Sequence, residues 1–136
     1  MAQLTEPASA APRQPAGLWR RRVASFGHAV RGVAAALRSE VHLRFHAAAT
    51  VVVIGLGFHY GITRLEWALV ALAVAGVWTA ELVNTAIEAL TDLASPAYHP
   101  LAGKAKDVAA GAVLLAALGA LVVGVLVFGP HLLPEQ

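Results

Sequence analysis

The chain has 136 residues, of which 58% are hydrophobic and only 13% charged, with a formal net charge of +2 and a mean hydropathy of +0.67. Those fractions exclude a disordered chain and leave too few charges to coat a small soluble domain. With no cysteine, disulfides, zinc ribbons and thiol chemistry are excluded as well.

Residues 1–16, MAQLTEPASAAPRQPA, have no hydrophobic period and read as a disordered tail rather than a signal peptide, because they hold no apolar core. The following residues, 17–130, read as one membrane domain. Within it, Trp19, Val23, Phe26, Val30, Val33 and Leu37 recur at spacings of three and four, which predicts an amphipathic helix over 18–39. Arg20, Arg21, Arg22, Arg31 and Arg38 lie off that stripe, as suits the surface of an anionic membrane.

Three spans follow. Ala47 to Phe58 is apolar but short of the roughly 20 residues a bilayer requires. Extending it over 43–62 restores the length, with Arg44 and His46 able to snorkel at one end. The second span covers 67–92, beginning at Trp67, an interfacial anchor, and running WALVALAVAGVWTA without a charge. The third covers 106–128; Val108 to Phe128 carries no charge, and Gly129-Pro130 is expected to close it. Residues 131–136 form a short C-terminal tail. The fold class is thus an all-α membrane protein: a surface helix plus three transmembrane helices.

The basic residues give an orientation. With the N-terminus inside, Arg13, Arg20, Arg21, Arg22, Arg31, Arg38, Arg44, Lys104 and Lys106 are cytoplasmic and Arg64 alone is outside. This is a strong positive-inside bias, and it puts the C-terminus on the outer face of a cytoplasmic membrane.

The second span ends in ELVNTAIEALTD, residues 81–92, where an apolar helix acquires a polar stripe. Glu81, Asn84, Glu88 and Asp92 fall within an arc of roughly 80° at about 100° per residue, with Thr85 and Trp78 flanking it. Counting from Trp67, Glu81 lies roughly 9 Å inside the hydrocarbon edge at 1.5 Å per residue, while Glu88 and Asp92 approach water. A carboxylate at that depth costs at least about 2.5 kcal/mol and must be held by partners. Such a group suits a general base, and the outer carboxylates suit a hard cation such as Mg²⁺.

Further groups gather at the same boundary: Glu40 before the first span, the Tyr98-His99-Pro100 loop, and Lys104, Lys106 and Asp107 opening the third. Acid, base, cation-binding oxygens and phosphate-binding amines at a membrane surface point to phosphoryl transfer to a lipid. No Walker motif or G-x-G-x-x-G occurs, so a standard soluble nucleotide-binding fold is excluded. His42 and His46, spaced i, i+4, are read as interfacial or capping residues in preference to metal ligands. Trp78, one turn before Glu81, is read as packing by default, with substrate contact as the alternative.

ELVNTAIEALTD followed by YHPLAGKAKDVAAGAVL, with FGHAVRG at 26–32 and EVHLRFH at 40–46, resembles the small prokaryotic diacylglycerol kinase and undecaprenol kinase family. The resemblance implies a homotrimeric membrane enzyme that moves the γ-phosphate of Mg-ATP to a lipid hydroxyl, with sites between neighbouring subunits. It implies Glu81 as general base, with Asn84 positioning the reacting groups. Glu40 and Glu88 would hold Mg²⁺ against ATP, and Lys106, Asp107, Tyr98 and His99 would line the nucleotide site. Arg21 and His28 fall where the family's surface helix approaches ATP, and Thr85 and Asp92 extend the polar face. The stretch Arg44 to His46 and the DVAAGAVLL run followed by VFGP are similar to the undecaprenol kinase branch; diacylglycerol is the alternative acceptor. No nucleic-acid partner is expected.

Two other classes compete. A proton- or ion-conducting subunit would use Glu81 and Glu88 as a relay, but a relay should cross the bilayer and the outer halves of the first and third spans carry no carboxylate. A purely structural membrane subunit would bear the clustered carboxylates at a needless cost.

Overall fold

A computed structural model describes residues 18–132 as four helices: α1 (Leu18–Ser39), α2 (Val41–Tyr60), α3 (Arg64–Ala94) and α4 (Pro100–Leu132). The tail expected over 1–16 and the last residues, 133–136, lie outside the described residues, as do the side chains of Leu18, Arg20 and Arg21. The chain divides into two units at Gly32. The first holds most of α1, whose apolar stripe residues Trp19, Val23, Phe26 and Val30 are exposed. The second runs from Val33 and holds the end of α1 and the other three helices.

Glu40, in extended conformation (φ −96°, ψ 120°), separates α1 from α2 as a single-residue break. Its N–H still donates to the Ala36 carbonyl (2.8 Å) and its own carbonyl accepts from Arg44 N–H (3.3 Å), so the backbone is satisfied through the bend. Its side chain makes no capping bond.

α2, α3 and α4 are each long and apolar enough to cross a membrane. α3 has 31 residues. At a rise of 1.5 Å per residue it is about 46 Å long, against a hydrocarbon core of about 30 Å. Its start is fixed by a capping box: the Thr63 hydroxyl accepts from Glu66 N–H (3.4 Å) while Thr63 N–H donates to the Glu66 carboxylate (2.7 Å). Glu88 and Asp92 sit near the opposite end of this helix. α4 has 33 residues and extends beyond the expected 106–128 in both directions. Gly129-Pro130 does not close it, and the helix continues to Leu132. Proline's fixed φ is itself helical, so the helix passes through Pro130 for two more residues despite the missing N–H and the crowding of the preceding turn.

α3 packs along α4 and, over a shorter length, against α2. At the end near the α2–α3 turn lies the main apolar core, Ile62, Val70, Val127 and Phe128, with Val53, Leu56, Tyr60, Trp67, Val74 and Val123 packed around it. The turn works because Gly61 adopts a left-handed conformation (φ 62°, ψ 42°), sending its N–H back to the Gly57 carbonyl. Gly57 itself is a close approach: a Cβ there would lie 2.7 Å from the Trp67 ring. Trp67 is thus more than an interfacial anchor, because it fills the space beside Gly57 and packs on Phe58 (ring centroids 5.0 Å apart). Most large apolar side chains elsewhere on the spans, such as Leu72, Leu115 and Leu121, are exposed in the single chain. In hydrocarbon this carries no penalty, since lipid tails are as apolar as leucine.

Candidate active site at the charged end of the spans

The polar stripe of α3 is real and graded in depth. Glu81 is buried, with 4% of its surface exposed; Asn84, Thr85 and Glu88 are half-buried, and Asp92 is exposed. Within the helix the stripe is internally bonded. Asn84 Nδ2 donates to Glu88 Oε1 (3.0 Å), and the Thr85 hydroxyl donates to the Glu81 carbonyl (3.0 Å). The side-chain oxygen of Asn84 is buried without a protein hydrogen-bond partner. An orphaned buried acceptor is costly.

Glu81 finds its partner on another helix. His46 Nε2 of α2 lies 3.1 Å from Glu81 Oε1. One turn further from the charged end the same two helices are linked again, Trp78 Nε1 donating to the Thr50 hydroxyl (3.1 Å), which in turn donates to the His46 carbonyl (2.7 Å). Sequence reasoning treated His46 as an interfacial or capping residue and Trp78 as packing. In the folded chain both carry polar links between α2 and α3. The signal for His46 was weak: a histidine at the end of an apolar segment has no period of its own.

At the junction of α3 and α4 an open pocket of about 220 Å³ is lined by Asp92, Ser95, Tyr98, His99, Gly103 and Lys106, among others. Lys106 Nζ is hydrogen-bonded to Asp92 Oδ1, so its amine reaches this pocket already paired with a carboxylate. His99 Nδ1 accepts from Leu101 N–H (3.2 Å), capping α4 and leaving the other ring nitrogen for a ligand. Tyr98 is 90% exposed. The structure therefore brings Tyr98, His99 and Lys106 together, with Asp92 added to them. Asp107, Glu40 and Glu88 do not line this pocket, and Asp107 is solvent-exposed. Arg21 lies outside the described side chains. The His28 ring is bonded to Arg31 of its own helix (2.9 Å).

Among the described residues, no three ligating side chains cluster as a protein-only metal site. Mg²⁺ does not require one. It keeps waters and is held by one or two carboxylates together with substrate phosphates. The half-buried Glu88, steadied by Asn84, and Glu40, whose carboxylate makes no capping bond, fit that donor chemistry.

A family model described as prokaryotic diacylglycerol kinase matches residues 27–128. The chain belongs to the prokaryotic diacylglycerol kinase family. The match includes every expected site residue except Arg21. Among relatives, an undecaprenol kinase of Bacillus subtilis is 44% identical, over 79% of this chain and 88% of that one. A diacylglycerol kinase of Synechocystis is 41% identical over 80% of this chain and 63% of that one. A diacylglycerol kinase of Escherichia coli is 28% identical over 82% of this chain and 91% of its own length. This member of the kinase family is thus a multi-pass membrane protein, with ATP as the co-substrate its family implies.

Proposed function

We propose that the chain is a membrane lipid kinase transferring the γ-phosphate of ATP to the hydroxyl of undecaprenol. The observation that carries this reading is the Glu81 carboxylate, 4% exposed, on a half-apolar helix of a family whose members are lipid kinases. Burying it is expensive and is repaid by a function at that depth. Glu81 takes the proton of the lipid hydroxyl as the oxygen attacks the γ-phosphorus; the bond from that phosphorus to the bridging oxygen breaks, and ADP leaves. Asn84, bonded to Glu88 through one amide N–H, steadies the reacting groups beside the base. Lys106, Tyr98 and His99 receive the nucleotide, and Asp107, Arg21 and His28 complete its surroundings. Glu40 and Glu88 would hold Mg²⁺, which supplies charge neutralisation on the phosphates when bound. Neither Glu40 nor Glu88 lines the α3–α4 pocket, and the family resemblance implies a homotrimer in which neighbouring subunits complete each site. The positive-inside bias supports a cytoplasmic active site and an outer C-terminus in the cytoplasmic membrane.

Undecaprenol is favoured by the 44% identity to the Bacillus subtilis enzyme. Diacylglycerol is the second reading, favoured by the 41% identity to the Synechocystis enzyme. Full-length protein in detergent micelles with Mg-ATP should phosphorylate undecaprenol faster than diacylglycerol. The reverse ranking selects the second reading, and turnover of neither lipid removes both. Glu88→Ala should raise the Mg²⁺ concentration needed for half-maximal rate, and an unchanged metal dependence rejects its ligand role.

A further inference from the structure

Glu81 is a carboxylate with two oxygens and a freely turning end group, so a base built on it has to be aimed. Two polar links, one helical turn apart, tie α2 to α3 at this level: Thr50 to Trp78 at 3.1 Å and His46 to Glu81 at 3.1 Å. The first uses a hydroxyl that also holds the His46 carbonyl at 2.7 Å, so the backbone carrying the imidazole is itself pinned. The second reaches the carboxylate itself. Among the described residues, no other side chain donates to either oxygen of Glu81.

We infer that His46 is a positioning residue for the base: its Nε2–H donates to Glu81 Oε1, fixes the plane of the carboxylate and leaves the second oxygen for the substrate hydroxyl. This inference rests on the lipid-kinase reading, in which Glu81 is the base. Three features support it. The carboxylate is 5% exposed and the imidazole 19%, so water competes only weakly for the contact. A hydrogen bond to an ionised carboxylate is stronger and more directional than a neutral one. The donor also comes from a different helix, so it anchors Glu81 to a frame its own helix cannot provide. The imidazole also lines a cavity of about 100 Å³ with Ala49, Thr50, Val53 and Trp78, which leaves room for an aliphatic side chain of similar size.

The test compares His46→Leu, which keeps bulk but has no donor, with His46→Gln, whose amide N–H falls near the lost Nε2. His46→Leu should lower kcat about ten- to hundredfold with the KM for ATP unchanged, the loss of one hydrogen bond to a charged group. His46→Gln should recover kcat to within about fivefold of wild type. Wild-type kcat in both variants overturns the inference, and so does an equal loss in both with unchanged thermal stability. A further readout needs neither turnover nor a folded variant at position 46. In the wild-type protein in micelles the ring ¹⁵N shifts of His46 should report the Nε2–H form, and they should move in Glu81→Gln; shifts that stay the same overturn the contact. If the wild type phosphorylates no lipid while those shifts do move, the kinase reading fails and the pairing stands.

Discussion

The two ends of the three-helix unit differ in how their helices are joined. Near the α2–α3 turn, helices meet through apolar surfaces: Phe128 and Val127 of α4 sit in one cluster with Ile62 and Val70, Tyr60 stacks on His131 with ring centroids 5.4 Å apart, and Trp67 closes over Gly57. At the other end, beside buried apolar residues such as Leu43, Val77 and Ala109, polar links also join the helices among the described residues: His46–Glu81, Trp78–Thr50 and Lys106–Asp92. Apolar packing in a membrane gives rigidity through close van der Waals contact. Buried polar links give direction but leave groups that must be matched by something else, such as the orphaned oxygen of Asn84. The contrast assigns stability to one end and chemistry to the other.

Substitutions at the two ends should separate these properties. The largest effect is expected for Glu81→Gln: turnover with either lipid should fall by about 10²–10⁴ as the base is lost, with little change in thermal unfolding in micelles. A Glu81→Gln protein with near-normal rates would mean the polar end does not hold the base. Next is Gly57→Ala at the apolar end. The new methyl meets the Trp67 ring, and the protein should lose about 1–3 kcal/mol in denaturant or thermal unfolding while the KM for ATP stays constant. Thr63→Ala removes the cap of α3 and should cost about 1 kcal/mol, again without a kinetic signature. The smallest effect is expected for Asp92→Ala. Because the pair with Lys106 is partly solvent-exposed, stability should move by less than about 1 kcal/mol, and the KM for ATP should rise about two- to fivefold as Lys106 loses its orienting partner. A large stability loss from Asp92→Ala, or a kcat loss from Gly57→Ala, would break the division between the ends.

Much of this molecule could be read along the chain, though unevenly. The helical membrane fold followed from unbroken apolar runs, and the stripe of Glu81, Asn84, Glu88 and Asp92 followed from a fixed angle per residue. The helix ends did not: Pro130 looked like a stop and is inside α4, because its fixed φ is a helical one. The partner of His46 was illegible for a different reason. The spacing of His46 to His42 is a local feature, whereas its partner Glu81 lies on the next helix and enters no local pattern.

The sequence by itself determined that three helices cross a membrane and which face of α3 is polar, since both depend on residues within a few positions of one another. The tertiary structure alone decided which histidine meets the buried carboxylate, that Trp78 and Thr50 brace that contact, and that Asp92 faces Lys106. The physical reason is that helix period sets where a side chain sits around its own axis, while the register between neighbouring helices is set by how their surfaces interlock, at Gly57 against Trp67 and around Phe128.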